Sequence, residues 1–343
     1  MGDKGQSISS KNSLFLAQRF SLRAHSTCTD LMFVDQLPQA VSNRAKALGQ
    51  SGEDWLKELD QLATRILSEH HLQPGKVLHG GTESLVIEAS TAQDQAVVVK
   101  FGLPGSADSS REAFIYQLAQ GHGYARLAFH DAAHNVLAVE KLGPPLQEEN
   151  RPDDEAIKVL CEQMMHSWLD LDATTAAQNG LMNGADKADW HINFLQQQQG
   201  TTPLPCSSRV IDTAISYAQL RKAAHTPVNA RLVHGDAHSL NTLKAPDGGY
   251  KFIDPEGLFG EIALDLCIPM REYNEGLLQN DTANRALARC HMISTLANAD
   301  PTPIWQWGFV ERVSSAFVLA SVGMQSEAQQ TFEVAELIVA TNV

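Results

Sequence analysis

The most informative part of this chain is the run His234-Gly-Asp-Ala-His-Ser-Leu-Asn241, which is followed by Ile253-Asp254-Pro-Glu-Gly257. Asp236 has a carboxylate that could accept the proton of an attacking hydroxyl group, and Asn241 offers an amide oxygen to a magnesium ion. Asp254 follows a short predicted strand and could bridge two ions across nucleotide phosphates. An Asp, an Asn and a second Asp at these spacings are typical of phosphoryl-transfer sites. The less specific interpretation is a polar turn between two strands.

The length and charge of the chain narrow the possible partners. With 343 residues it has room for two domains of ordinary size. Its formal net charge of -14 argues against a nucleic-acid partner, because phosphate backbones require clustered Lys and Arg. An acidic cleft would instead attract a cationic substrate, although solubility alone also explains an acidic chain.

The cysteines and the apolar segments indicate the cellular compartment of the protein. The five cysteines are scattered, without the C-x-x-C spacing of a zinc site or redox motif, and favour a reducing compartment. The apolar stretch Leu14-Phe-Leu-Ala17 is too short for a signal peptide, and no segment approaches the length of a membrane span. We therefore expect a cytoplasmic protein without a membrane partner.

The N-terminal part of the chain is predicted to form a small, mainly antiparallel β lobe. Residues 1–40 are expected to be a partly disordered extension, and residues 41–142 an N-lobe that starts with a helix ending near His70. Strand patterns follow at 76–89, 95–101, 124–129 and 136–140, with one helix that begins at Ser109-Ser110. The linker Gly143-Pro144-Pro145 ends this lobe.

Residues 143–343 are predicted to form a larger, helical C-lobe, which makes the fold class α+β and bilobal. Helical patterns occupy 153–175, 187–198, 208–225 and 258–341, whereas Gln196–Gln199 is predicted to be a surface loop. Residues 234–241 are called the catalytic run below. Short strands at 231–234 and 250–253 flank this run, with a hairpin turn at 247–249 between them.

Several residues of the N-lobe are candidates for nucleotide binding. Gly80-Gly81-Thr82 lies between two strands and can place backbone N–H groups over phosphates, although a plain hairpin turn has the same sequence. Lys100 ends a β-branched strand, and Glu112 on the next helix is its candidate ion-pair partner. Glu140 belongs to a predicted hinge, residues 137–142, whose backbone could contact an adenine edge.

Two histidines and one aspartate are expected to support the catalytic run. His234 and His238 could belong to a zinc metallohydrolase, but this alternative leaves Asn241 and Asp254 without roles. We expect His234 to bond a backbone group near Asp254 and His238 to stabilise the loop. Asp265 lies among apolar residues and is predicted to bond the backbone of the catalytic loop.

At these residues the chain resembles the aminoglycoside phosphotransferase family, which has a protein-kinase-like fold. The boxes H-G-D-x-H-x-x-N and I-D-P-x-G-L-x-G match, and I-D-P-E-G-L-F-G-E is most similar to the streptomycin 6-kinase (aminoglycoside/hydroxyurea resistance kinase) branch. The resemblance covers residues 76–275 and is motif-specific over 231–270. It implies that Asp236 is the catalytic base, that Asn241 and Asp254 bind Mg²⁺, and that Lys100 contacts the phosphates of ATP.

The sequence therefore predicts a kinase that moves the γ-phosphate of ATP to a hydroxyl of an aminoglycoside or aminocyclitol such as streptomycin. Glu256 and Glu261 are candidate contacts for a cationic acceptor, as are Asp170 and Asp172. The alternatives are a kinase of a housekeeping sugar or amino alcohol, a metallohydrolase, and a catalytically silent nucleotide-binding module. Boxes that bind Mg²⁺ and ATP do not specify the acceptor.

Overall fold

The chain divides into two compact units. The computed structural model describes residues 32–79, 81–106, 109–199 and 205–341. The first unit contains the described residues up to Gly121 together with Ala125–Lys141, and the second contains His122–Tyr124 and Leu142 onwards. The change of unit after Lys141 lies one residue before the predicted boundary. Most of the predicted N-terminal extension, residues 1–31, lies outside the described residues.

The first unit is built around one antiparallel sheet. Its strands follow the order β1-β2-β3-β5-β4. They are β1 Gln73–Leu78, β2 Ser84–Ser90, β3 Ala96–Gly102, β4 Leu127–Asp131 and β5 Val136–Glu140, and the helices of this unit are α1 Gln39–Ala47, α2 Gln50–Glu69 and α3 Ser109–Ala119. Together with the many helices of the second unit, this sheet confirms the predicted α+β class.

Alternating burial on the central strands separates the core face of the sheet from the face that carries Lys100. Val99 and Phe101 of β3 are buried, in one hydrophobic cluster with residues of α2 such as Leu59 and Ile66. Because successive side chains of a strand point to opposite faces, Lys100 lies on the other face. It pairs in register with Val86 of β2 on one side and with β5 on the other.

The helical pattern before the sheet corresponds to two helices. The helix predicted to end near His70 ends at Glu69, but a turn at Leu48 and Gly49 separates α1 from α2. Gly49 has a φ of 63°, a left-handed conformation that glycine adopts without steric strain. Gly52 then allows the two helices to touch, because a Cβ at this position would lie 1.8 Å from the carbonyl oxygen of Ala45.

The second unit is mainly helical. Its helices are α4 Asp153–Ser167, α5 Ala173–Gln178, α6 Gly184–Gln199, α7 Ser208–Ala224, α8 Ala263–Leu266, α9 Ile268–Arg271, α10 Asn274–Leu277, α11 Thr282–Ala297, α12 Pro301–Ser321 and α13 Gln325–Ala340. Helix α12 is buried along most of its length and packs against α7 and α13 in one hydrophobic cluster. None of the described helices has the length and apolar character that a membrane span requires.

Three predictions for the helices of this unit were wrong. Residues 258–260, the start of the segment predicted to be helical up to 341, form a short strand. The segment 153–175 is not one helix, because α4 ends at Ser167 and Leu169 pairs through its backbone with Leu232. The predicted surface loop Gln196–Gln199 is the last turn of α6. Gln is a good helix former, and the side chain of Gln199 donates a hydrogen bond to Asp212 on α7 at 2.8 Å.

Short strands position the predicted catalytic segments. They are β6 Met182–Asn183, β7 Arg231–Val233, β8 Thr242–Lys244, β9 Tyr250–Phe252 and β10 Leu258–Gly260. Strands β8 and β9 form a two-stranded sheet, and β10 lies between β6 and β7. The turn at 247–249 therefore joins β9 to β8, a strand that the sequence did not predict, and does not join it directly to β7.

We predict that Gly52→Ala lowers stability although alanine is the better helix former. The added methyl group would collide with a backbone oxygen of α1 that side-chain motion cannot displace. Overpacking of this kind costs about 1–3 kcal/mol. Thermal and urea unfolding would measure the loss, and the exposed neighbour Ser51→Ala is the control, with a change expected within about 0.5 kcal/mol. A Gly52→Ala protein as stable as the control would contradict the close approach.

Candidate active site

The backbone of the catalytic run is held by the buried carboxylate of Asp265. This carboxylate accepts hydrogen bonds from the backbone N–H groups of His234 at 3.0 Å and Gly235 at 2.7 Å. The indole N–H of Trp168 donates to the same carboxylate at 2.9 Å. Burial raises the pKa of Asp265, and the three donors oppose that shift by stabilising the anion. The structure thus contains the backbone contact expected of Asp265.

Glycine is required where the run turns toward Asp236. Gly235 has a φ of 87°, and a Cβ there would lie 2.8 Å from the side chain of Leu258 on the neighbouring strand β10. Only glycine combines this left-handed conformation with so close an approach. The turn places the side chain of Asp236 in the interior, where the residue is only 4% exposed.

Both ring nitrogens of His234 bond to the backbone. Its Nδ1 accepts from the N–H of Asp236 at 3.1 Å, so Nε2 carries the proton and donates to the carbonyl of Ile253 at 2.9 Å. Burial lowers the pKa of His234, which favours this neutral form. Because neither nitrogen is left to ligate zinc, His234 does not fit the metallohydrolase alternative. Among the described residues, no group of three or more His, Cys, Asp and Glu could hold a metal ion.

The β8–β9 hairpin brings the two predicted magnesium ligands to the same end. Thr242 pairs with Phe252, and the N–H of Ile253 donates to the carbonyl of Asn241 at 3.0 Å, so Asp254 is the next residue after this pair. Asp254 has a φ of 54°, a conformation that non-glycine residues adopt mostly at turns and functional sites. The sequence predicted both residues as magnesium ligands. It did not predict strand β8, and therefore it did not show that the two residues lie at the same end of a hairpin.

The side chain of Asn241 has an oxygen at this end of the hairpin to which none of the described residues donates a hydrogen bond. The residue is 1% exposed, and its Nδ2 donates to the carbonyl of Asp236 at 3.1 Å. Its Oδ1 is buried and accepts no hydrogen bond from the described residues. A buried oxygen without a donor is costly unless something else occupies it, and amide and carboxylate oxygens are the ligands that Mg²⁺ prefers. The residues present therefore fit a magnesium ion.

The carboxylate of Asp236 lies between the guanidinium of Arg271 and the ring of His238. Its Oδ1 accepts a hydrogen bond from Nη2 of Arg271, and its Oδ2 lies 3.4 Å from Nε2 of His238. Burial favours the neutral carboxyl, but His238 and Arg271 outweigh it and hold the pKa of Asp236 well below its ordinary value. The carboxylate of Asp236 in turn raises the pKa of His238, although burial acts to lower it. His238 also accepts from the N–H of Leu240 at 3.2 Å, the loop contact expected of it.

Arg271 belongs to a buried ionic network that the sequence did not predict. Its Nη1 donates to Oε2 of Glu311 at 3.0 Å. Nζ of Lys187 lies 3.1 Å from Oε2 of Glu256 and 3.6 Å from Oε1 of Glu311. Glu311 is only 3% exposed although it lies in the middle of the apolar helix α12. A charge inside such an apolar pattern is the one sequence signal that could have indicated a buried ion pair.

The candidate acceptor contacts are engaged with protein groups. Glu256 pairs with Lys187, and Glu261 accepts from Arg221 at 3.2 Å and from the indole N–H of Trp307 at 2.7 Å. Of the two aspartates, Asp170 lies 3.5 Å from Arg231 and Asp172 caps α5 through the N–H of Thr175. The described contacts of these four residues are structural, so none of them is singled out as an acceptor ligand.

The first unit contains the predicted Lys100–Glu112 ion pair. Nζ of Lys100 lies 3.1 Å from Oε2 of Glu112, whose side chain is 4% exposed. Tyr116, one turn later on α3, donates its hydroxyl to Oε1 of Glu112 at 3.3 Å. The buried carboxylate thus has its own support, and it fixes the ammonium group of Lys100 on the face of the sheet opposite the core.

The remaining nucleotide-binding candidates of this unit are less distinctive. Gly81 and Thr82 lie in the turn between β1 and β2, whereas Gly80 lies outside the described residues. The carboxylate of Glu140 accepts from the N–H of Arg126 at 2.8 Å. The N–H groups of Glu140 and Lys141 donate to carbonyls of the same sheet, so neither amide is left to contact an adenine.

Similar proteins were found by sequence and by structure. The profile of the aminoglycoside/hydroxyurea antibiotic resistance kinase family matches residues 69–323. Streptomycin 6-kinase of Streptomyces glaucescens is 22% identical over 284 residues, which cover 82% of this chain and 90% of that relative.

Two solved structures have the same fold at low sequence identity. An ethanolamine kinase of Plasmodium vivax has a TM-score of 0.57 and 12% identity, covering 88% of this chain and 96% of its own. The GDP and kanamycin complex of an APH(2'') enzyme has a TM-score of 0.55 and 15% identity, covering 82% and 99%. The family match spans the sheet of the first unit, the catalytic run and the segment 253–257 around Asp254, and from it we conclude that the chain belongs to the aminoglycoside/hydroxyurea antibiotic resistance kinase family.

Proposed function

We propose that this protein transfers the γ-phosphate of ATP to a hydroxyl of a cationic aminoglycoside or aminocyclitol such as streptomycin. The observation that carries the proposal is one arrangement in the second unit. A buried Asp236 anion lies beside Asn241, whose free oxygen is at the same end of a hairpin as Asp254. Family membership and the streptomycin 6-kinase relative support the reaction and the class of acceptor.

Asp236 orients the acceptor hydroxyl and takes its proton. Arg271 and His238 keep the carboxylate ionised, so it can accept a hydrogen bond from the hydroxyl. Phosphoryl transfer through a loose transition state requires little activation of the nucleophile, and positioning supplies much of the rate. A buried, firmly held carboxylate suits that role better than an exposed, mobile one would.

Asn241 and Asp254 would hold Mg²⁺ through their side-chain oxygens. The ion, when bound, neutralises the negative charge on the phosphate oxygens of the nucleotide. Lys100 binds the phosphates, and Glu112 fixes the direction of its ammonium group. Use of ATP is consistent with a cytoplasmic protein.

The charge of the chain and the relative favour a cationic acceptor. With 40 Asp and Glu against 26 Lys and Arg, the protein attracts polycations at long range. A neutral sugar would gain nothing from this field. An amino alcohol has one positive charge and would gain less than a polycation.

We predict that streptomycin stimulates ATP consumption more than other hydroxylated amines and sugars do. Mass spectrometry should show one added phosphoryl group on the acceptor.

The KM for the acceptor should rise with salt concentration more steeply than the KM for ATP, because salt screens the attraction between a polycation and an acidic surface. A flat salt dependence together with turnover of a sugar would instead favour the housekeeping kinase.

Asp236→Asn should lower kcat about 10²–10⁴-fold, the usual cost of losing a general base. The amide keeps the shape of the side chain but cannot take the proton, whereas the proposed nucleotide contacts are unchanged. The measurement is kcat and ATP affinity on one preparation, with the exposed Asp189→Asn, which loses a pair with Lys222, as the control. Near-normal kcat, or an equal loss of ATP binding, would rule out this role.

Asp254→Asn should remove most turnover and raise the magnesium concentration needed for half-maximal activity. Asn tolerates the left-handed backbone of this position, so the variant should stay folded while a charged ligand is lost. Asp94→Asn makes the same change at another left-handed residue, in an exposed turn of the first unit, and should have no effect. Unchanged magnesium dependence of Asp254→Asn would contradict its assignment as a ligand.

A further inference from the structure

We propose that Glu311 is a positioning residue that holds the catalytic run and the metal-binding segment through two separate cations. One arm runs from Glu311 through Arg271 to Asp236, and the other runs through Lys187 to Glu256. Glu256 is two residues after Asp254. This inference rests on the proposed roles of Asp236 and Asp254, but its structural part can be tested separately from them.

The first arm depends on the shape of the arginine side chain. Nη1 of Arg271 donates to Glu311 at 3.0 Å while Nη2 donates to Asp236, so one planar group joins two carboxylates. A guanidinium presents these donors in a fixed fork, whereas a lysine ammonium is a point charge on a flexible stem. The arm therefore fixes the orientation of the Asp236 carboxylate as well as its charge.

The second arm joins α6 to the segment that follows Asp254. Lys187 is 6% exposed, and its ammonium contacts Glu256 at 3.1 Å and Glu311 at 3.6 Å. Between Asp254 and the start of β10 at Leu258, the N–H of Gly257 also donates to the carbonyl of His234 at 3.0 Å. Loss of the ion pair would therefore free the segment next to a left-handed Asp254.

Glu311 is the group that both arms share. Of the two cations and three carboxylates in this network, Lys187, Asp236 and Glu311 are buried and the other two are half-buried. Each cation contacts Glu311 and one loop carboxylate. His191 donates to Oε1 of Glu311 at 3.0 Å and accepts from the hydroxyl of Ser314 at 2.8 Å, so this neutral ring orients Glu311 without adding charge. Without Glu311, each cation would keep a single carboxylate of this network in an environment where an unbalanced charge is costly.

Substitutions that break one arm are expected to change amide hydrogen exchange in a different loop from substitutions that break the other. Glu311→Gln should speed amide hydrogen exchange in both 234–241 and 253–257, because both loops lose their anchor. Arg271→Lys should speed exchange in 234–241 alone, and Lys187→Met in 253–257 alone. For turnover, we expect kcat of Glu311→Gln to fall about 10²-fold, the scale of a small misplacement of a reacting group, with little change in the KM for ATP.

A matched control removes a carboxylate elsewhere in the same unit. Glu336 on α13 accepts from the hydroxyl of Ser207 at 2.9 Å, before the start of α7. Glu336→Gln makes the same chemical change and should alter neither the exchange of the two loops nor kcat. If Glu311→Gln does not fold, Arg271→Lys and Lys187→Arg, which keep the charges, test the two arms singly.

The proposal is overturned if a folded Glu311→Gln protein exchanges in both loops as the unmodified protein does. It is also overturned if Arg271→Lys and a folded Lys187 variant loosen both loops alike, because the arms would then not be separate. Faster exchange with unchanged kcat would remove the role in catalysis. Failure of the proposed function gives a different result: the exchange pattern would hold while Asp236→Asn kept near-normal kcat.

Discussion

The second unit depends on the buried carboxylate of Asp265. A carboxylate taken out of water must be compensated by donors, and here two consecutive backbone N–H groups and one indole N–H compensate it. The same three bonds determine the local structure. They fix the backbone before Asp236 and hold Trp168 just beyond the end of α4. The catalytic run is thus fixed at its base, and Arg271 and His238 act on a carboxylate whose backbone is already placed.

The expected contacts that the structure contains are those that are local or follow from a short motif. The backbone contact of Asp265 could be predicted because a carboxylate within an apolar run needs hydrogen-bond donors, which the motif 30 and 31 positions earlier supplies as backbone N–H groups. Lys100 and Glu112 lie on consecutive elements, so their ion pair needed only the end of a strand and the first turn of a helix. Proximity along the chain made the Lys100–Glu112 pair predictable, whereas the contact of Asp265 followed from the motif.

The residues that the sequence missed meet through packing over long separations. Arg271 and Glu311 are 40 positions apart, and Lys187 and Glu256 are 69 apart. No spacing rule connects them, because their contacts exist only after α6, α9 and α12 have packed together. The end of α4 was missed for the same reason, since Trp168 leaves the helix to bond Asp265, which lies 97 positions later. Helical propensity continues past Ser167, and a tertiary contact overrides it.

The β8–β9 hairpin has two ends with opposite properties. The proposed magnesium ligands adjoin its buried end, whereas residues 246–249 at its tip are exposed. The three paired positions between them keep the strands in register, and Lys244 lies over the ring of Tyr250 at 4.3 Å on the tip side. Extra residues at an exposed tip are usually tolerated, because they leave the pairing intact. The tip is therefore a place where an epitope tag or a reporter peptide could be inserted without displacing Asn241 or Asp254.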